Sequence, residues 1–201
     1  MRHVTLITTG GTIEKTYDER TGVLENRQSI VHRMLKRLRL EDASINVMEL
    51  MSKDSLLMTA ADRSRIVEAV ELAAGADLRG EGHGVVILHG TDTLPQTGDL
   101  LHQRLPGLSM PVILTGAMRP FEMTRSDALQ NLTEAIFAAG VLLPGVWCVA
   151  HGRALRFPGV VKDAGRGTFS RQDASTLDVD PAQRSAVGDP ASGPHGLRAG
   201  G

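Results

Sequence analysis

Five short apolar runs rich in β-branched residues constrain this chain most: residues 4–8, 45–50, 85–88, 111–115 and 146–150. They are mostly continuous rather than alternating, which suits strands covered on both faces. Helical spacing fills the gaps. Residues 29–40 carry Ile30, Val31, Met34, Leu35 and Leu38 at that spacing. Residues 60–74 carry Ile66, Val67, Val70 and Leu72, behind Thr59 and Asp62 spaced as a capping box. Gly75 just beyond suits a helix stop. Residues 93–105 predict a third helix, with Pro95 where the first turn tolerates it. Residues 126–139 predict a fourth, with Thr124 and Asp127 spaced as a cap. Alternating strands and helices predict an α/β protein, a single doubly wound, mostly parallel sheet flanked by helices. Residues 1–170 form this domain. Residues 171–201 are rich in Gly, Pro, Ala, Ser, Asp and Arg, and read as a flexible, disordered C-terminal tail.

In such sheets ligands bind beyond the carboxyl ends of the strands. Four segments follow strands here: Thr9-Gly-Gly-Thr12, Met51-Ser-Lys-Asp54, His89-Gly-Thr-Asp92 and Thr115-Gly-Ala-Met118. All four are therefore expected on one edge. Gly10 and Gly11 let the backbone turn tightly and approach a ligand. Thr12 then reads as a nucleophile on a loop, or as part of an ordinary βα turn. No Gly-Lys-Ser/Thr follows, which argues against a phosphate loop. Asp92 reads either as a helix cap or as a carboxylate for a substrate ammonium. Thr91 becomes a second activated hydroxyl if a base stands beside it. The glycines at 80–84 precede their strand and read as a plain turn.

Lys plus Arg number 22 and Asp plus Glu 23, a net charge of −1. That balance gives no reason to expect nucleic acid or an anionic membrane as partner. Aromatics at 3% also disfavour a base-stacking platform. Cys148 is the sole cysteine, so no intrachain disulfide can form, and it reads as a small buried apolar residue. With no long apolar leader or spanning segment, the expected location is the cytoplasm. The seven histidines show no metal-ligand spacing, so no metal is expected. His89 is expected to pack or cap.

Thr9-Gly-Gly-Thr-Ile13 and His89-Gly-Thr-Asp-Thr93 resemble the two signature motifs of bacterial-type L-asparaginases. Leu114-Thr-Gly-Ala-Met-Arg-Pro120, followed by Ser126-Asp-Ala-Leu-Gln-Asn131, is similar to the next characteristic stretch. The motifs are collinear, and the resemblance covers about residues 3–170. It implies an asparaginase amino-terminal domain-like fold and a cofactor-free amidohydrolase converting L-asparagine to L-aspartate and ammonia. It implies that Thr12 attacks the side-chain amide, with Tyr17 helping to deprotonate it. Thr91 and Lys162 would form the second catalytic group. Ser52 and Asp92 would grip the α-carboxylate and α-ammonium. Backbone N–H groups near Thr91 and Ala117 would serve as oxyanion donors. Taken as residues alone, Tyr17 also reads as a solvent-facing loop residue, Ser52 as a cap and Lys162 as a surface lysine.

The family has a second, carboxy-terminal domain, which residues 171–201 cannot supply. In its usual tetramer a neighbour completes the site, so a homo-oligomer, dimer or tetramer, is expected. Glu14 stands where the family often has a small residue. The rival readings are a glutaminase-asparaginase of broader specificity and a non-catalytic aspartate- or asparagine-binding module. A component of a transfer-RNA-dependent amidotransferase fits less well, for lack of a basic surface.

Overall fold

The computed structural model describes residues 2–75 and 83–172. The expected tail from 173 onward, and residues 80–82 of the glycine-rich turn, lie outside the described residues. The chain runs β1 (Arg2–Gly10), β2 (Thr16–Asp18), β3 (Val23–Glu25), α1 (Val31–Leu35), β4 (Ala43–Lys53), α2 (Ala60–Gly75) and β5 (His83–Leu88). It continues through α3 (Leu94–Arg104), β6 (Pro111–Thr115), α4 (Ala128–Ala139), β7 (Gly145–Ala150), β8 (Arg153–Arg156), β9 (Val160–Asp163) and β10 (Thr168–Arg171).

Six strands form one sheet in the order β4-β1-β5-β6-β7-β8. The first five are parallel, and β8 pairs antiparallel with β7. The five apolar runs supply the parallel strands. β8, which reads Arg-Ala-Leu-Arg, forms a charged edge with no apolar signal in the sequence. Alternate residues of each central strand face opposite ways. Val85 and Ile87 pack with Ile66, Val67 and Val70 of α2 and Leu94 and Leu101 of α3. Val86 and Leu88 pack with Val31 and Met34 of α1 and Leu132, Ala135 and Ile136 of α4. The result is a helix–sheet–helix sandwich.

Two local expectations change. The helix expected over 29–40 is shortened to Val31–Leu35. Arg37 and Leu38 donate to carbonyls three residues back, at 2.9 and 3.0 Å, so the helix tightens and ends before the turn into β4. The Thr124–Asp127 cap is replaced. Ser126 Oγ accepts from the Ala128 N–H at 3.1 Å, and Asp127 reaches back toward β6 instead. The box at α2 does form, with Asp62 N–H donating to Thr59 Oγ1 at 3.2 Å and Thr59 N–H to Asp62 Oδ2 at 2.9 Å.

The strand order reverses at β1. From β1 the chain crosses to β4 on one side, and from β5 it crosses to β6 on the other. The carboxyl ends of β1 and β5 therefore flank the crevice where open α/β sheets bind ligands.

Candidate active site

The two threonine turns meet at that crevice. Gly11 has φ +81°, and a Cβ there would fall 2.4 Å from the Gly90 Cα. Only glycine allows this backbone and this approach. Thr12 and Thr91 are the next residues on either side of the contact. A Cβ on Gly90 would meet Ser55 Oγ at 2.5 Å, and one on Gly116 would meet the His89 carbonyl oxygen at 2.3 Å. Thus the ends of β1, β5 and β6, with the turn after β4, close on one another, as their placement after parallel strands requires.

Thr91, Asp92 and Lys162 form one cluster. Lys162 Nζ donates to Thr91 Oγ1 at 2.8 Å and to Asp92 Oδ1 at 2.7 Å. Thr91 is buried, while the Asp92 side chain is 43% exposed, leaving it open to a ligand. Lys162 comes from β9, whose hairpin with β10 is anchored by buried Val160 and Phe169. Asp92 makes no capping bond at α3, where Thr93 stands at the N-cap.

Thr12 opens a short 3-10 turn, half-buried, and its hydroxyl has no hydrogen-bond partner among the described residues. The Gly11 backbone just before it is held from two sides. Gly11 N–H donates to the Lys53 carbonyl at 2.8 Å, and Asn26 Nδ2 to the Gly11 carbonyl at 2.8 Å. Tyr17 lies on β2, 56% exposed. Its hydroxyl is 4.0 Å from a Cβ placed on Gly22, at the tip of its own hairpin. The structure thus brings Thr12, Thr91, Asp92 and Lys162 to one edge and leaves the Tyr17 side chain outward.

Ser52 is still within β4, and its Oγ is buried without a hydrogen-bond partner. Ser55 was missed by sequence reasoning. It is 1% exposed, its Oγ is also unpartnered, and it touches Gly90 beside Thr91. Its carbonyl accepts from Thr93 Oγ1 at 3.0 Å. A serine just past a strand end was the available signal. Lys15 and Asp54, also missed, tie the Thr12 turn to the Ser55 turn with a 2.7 Å ion pair. That pair holds the Asp54 carboxyl below its ordinary value.

Ala117 is 1% exposed in the turn after β6. Neither its N–H nor that of Thr91 has a hydrogen-bond partner among the described residues. Asp127 shapes this turn by accepting from Met118 N–H at 2.9 Å and Arg119 N–H at 3.0 Å. Asn131 Nδ2 donates to the Gly116 carbonyl at 2.8 Å, and His151 Nε2 lies 2.8 Å from Asp127 Oδ2. Burial alone would raise the Asp127 carboxyl, but the Met118 amide, His151 and the Arg119 amide outweigh it and hold it below its usual value.

His89 is fully buried between Thr97 Oγ1 at 2.9 Å and the Gly90 carbonyl at 2.9 Å. Burial lowers its pKa to about 4, so it stays neutral and acts as packing. Cys148 is buried in β7, which raises its thiol pKa. Among the described residues no group of three or more His, Cys, Asp or Glu side chains could hold a metal ion. No helix of the described residues is long and apolar enough to cross a membrane.

Fold and site together define an α/β protein that places two hydroxyl-bearing turns at its topological switch point. The chain belongs to the asparaginase family: residues 3–178 match the family model "Asparaginase, N-terminal". Over 152 residues it is 32% identical to a glutamyl-tRNA(Gln) amidotransferase component of Methanobrevibacter smithii, covering 75% of this chain and 34% of that protein. Over 114 residues it is 37% identical to an L-asparaginase of Thermococcus kodakarensis, covering 56% of this chain and 33% of that one. The solved structure of the thermostable L-asparaginase from Thermococcus kodakarensis superposes with TM-score 0.74 at 29% identity, covering 84% of this chain and 51% of that chain. A probable cytoplasmic L-asparaginase from Campylobacter jejuni gives TM-score 0.73 at 27% identity, with 87% and 54% covered. The chain spans about a third of those curated relatives and about half of those solved chains.

Proposed function

We propose that this chain hydrolyses L-asparagine to L-aspartate and ammonia through an ester on Thr12. The observation that carries the reading is the Lys162–Thr91–Asp92 cluster, set one residue beyond the Gly11–Gly90 contact that brings the Thr12 turn alongside. The Thr12 hydroxyl attacks the side-chain amide carbon. Its proton moves onto Thr91 Oγ1 as Thr91's own hydroxyl proton goes to the amide nitrogen, with the Lys162 donor steadying the charge on Thr91, and the unpartnered N–H groups of Thr91 and Ala117 receive the developing oxyanion. Ammonia leaves with a proton. Water then enters, guided by Thr91 and Lys162, and cleaves the ester to release aspartate and restore Thr12. The exposed side of Asp92 takes the α-ammonium, and the unpartnered hydroxyls of Ser55 and Ser52 are the candidates for the α-carboxylate. Tyr17 joins when the β2–β3 hairpin folds in over bound substrate.

The test is ammonia release from L-asparagine by the purified chain, with L-glutamine beside it. One methylene separates the two substrates, worth only about 1–3 kcal/mol in a pocket. Turnover of asparagine that vanishes in both T12A and T91A is the expected result. Undiminished turnover in either variant contradicts the mechanism, and aspartate binding without any turnover supports a binding module instead.

A second reading makes the chain the amide-hydrolysing part of an amidotransferase. It is favoured by the 32% identity to a protein named as part of a glutamyl-tRNA(Gln) amidotransferase. Both readings use one site and differ in where the ammonia goes. Steady release of free ammonia by the chain alone favours the first. As in the resemblance, the proposal includes self-association. Leu56 and Leu57, which follow Ser55 in the chain and are 68% and 73% exposed, offer apolar surface for it. Sedimentation with and without aspartate measures it.

A further inference from the structure

Glu14 is 1% exposed, and no step above uses it. Its Oε2 accepts from the Gly10 N–H at 3.1 Å, its Oε1 from the Ser29 hydroxyl, and the Ile30 N–H is a further donor. Gly10 ends β1 two residues before Thr12. Ser29 and Ile30 lead into α1, and Asn26 in the same segment holds the Gly11 carbonyl. A carboxylate is an acceptor-only group, and here it meets only donors. An apolar side chain would fill the space without the cost of burying a charge.

We propose that Glu14 is a positioning residue, a buried clamp that ties the Gly10–Gly11 turn to residues 26–30 and so fixes where Thr12 presents its hydroxyl. The proposal rests on Thr12 being the nucleophile. Burial pushes the Glu14 carboxyl up to about 7, against the pull of its Ser29, Gly10 and Ile30 hydrogen bonds, and the negative Glu49 on β4 adds to the rise. Glu49 in turn faces His32 of α1, 3.9 Å away. Near neutral pH the clamp therefore exchanges a proton. The protonated form keeps its donors only if the Ser29 hydroxyl reverses and accepts.

The experiment pairs E14A with E14Q. The readouts are amide exchange across residues 8–14 and the pH profile of kcat and KM for asparagine. Glutamine can still accept from Gly10 while donating to Ser29, so E14Q keeps the clamp but cannot ionise. E14A is expected to lose roughly 10²-fold in kcat, through misplacement of Thr12, with KM little changed. Its Gly10 amide should exchange at least about tenfold faster than in the parent. E14Q is expected to recover most of the kcat and to lose the inflection near pH 7.

Parent-like exchange in E14A overturns the clamp. Faster exchange with undiminished kcat overturns its positioning role. If E14A does not fold, an inflection retained by E14Q overturns the proposal and its disappearance supports it. If the parent chain releases no ammonia, the functional reading falls, and the exchange measurement still decides whether Glu14 clamps the turn.

Discussion

The Thr12 and Thr91 turns touch through two glycines, yet they are built in opposite ways. Thr91 is wired to its neighbours, with its hydroxyl on Lys162 and Lys162 on Asp92. Thr12 has no side-chain partner among the described residues. The Gly10–Gly11 backbone just before it is gripped by Lys53, Asn26 and Glu14. One half of the site holds a hydroxyl fixed by a lysine and a carboxylate, and the other holds a free hydroxyl on a fixed backbone. Under the proposed mechanism the free hydroxyl of Thr12 is weak by itself and needs the wired Thr91 beside it to take its proton.

The sharpest way to break this contrast is to remove each hydroxyl's partner set and ask what else suffers. T12A is expected to lower ammonia release by about 10³-fold or more, the scale of losing a nucleophile. Its melting temperature should not move, because the hydroxyl makes no bond to the described residues. K162M is expected to lower kcat by about 10²–10⁴-fold, the scale of general acid–base catalysis. Unlike T12A it should also lower stability, by about 1 kcal/mol, since Thr91 and Asp92 both lose a donor. Equal thermal behaviour in the two variants would contradict the asymmetry.

A second contrast lies in two buried titratable groups on these turns. His89 sits at about 4 in the folded chain, below its ordinary 6.5. The unfolded chain binds that proton more readily, so stability is present above pH 6.5 and falls as pH drops through 4. Glu14 sits at about 7, above its ordinary 4.5. Its contribution is present below pH 4.5 and is lost as pH rises through 7. Each amounts to about 3 kcal/mol at most, from the gap between the folded and ordinary values. E14Q should therefore unfold at higher denaturant than the parent at pH 8, and lose that advantage at pH 4.5. Urea melts across that range check both signs.

The smallest expected effect is at the strap between the turns. Lys15 and Asp54 have side chains 24% and 30% exposed, so K15A should cost only about 0.2–1 kcal/mol in stability. Its effect should show mainly in KM, as the mouth of the site loosens. A large loss of stability would mean that the strap, rather than the glycine contact, holds the two turns together.

Much of this architecture was legible in the sequence. Continuous apolar strands must be buried on both faces, and the turns that follow parallel strands must share an edge. That reasoning alone puts Thr12, Thr91, Asp92 and Ala117 together. Lys162 needed the family resemblance, because it arrives on a two-stranded hairpin with no periodic signal. β2 and β3 were unreadable for a similar reason, at three residues each. Ser55 was hidden by register. β4 runs on to Lys53, so the turn falls three residues later than Ser52 suggested. The outward direction of Tyr17 was not legible either, since position along the chain does not say which way a hairpin side chain points.

The central claim is that the Thr12 and Thr91 turns bind one ligand between them. A crystal structure with L-aspartate bound tests it most directly. The expected result is the product's side-chain carboxylate within hydrogen-bond reach of both hydroxyls, with its ammonium on Asp92. Aspartate bound elsewhere, or touching one threonine while the other faces a separate cavity, would contradict it.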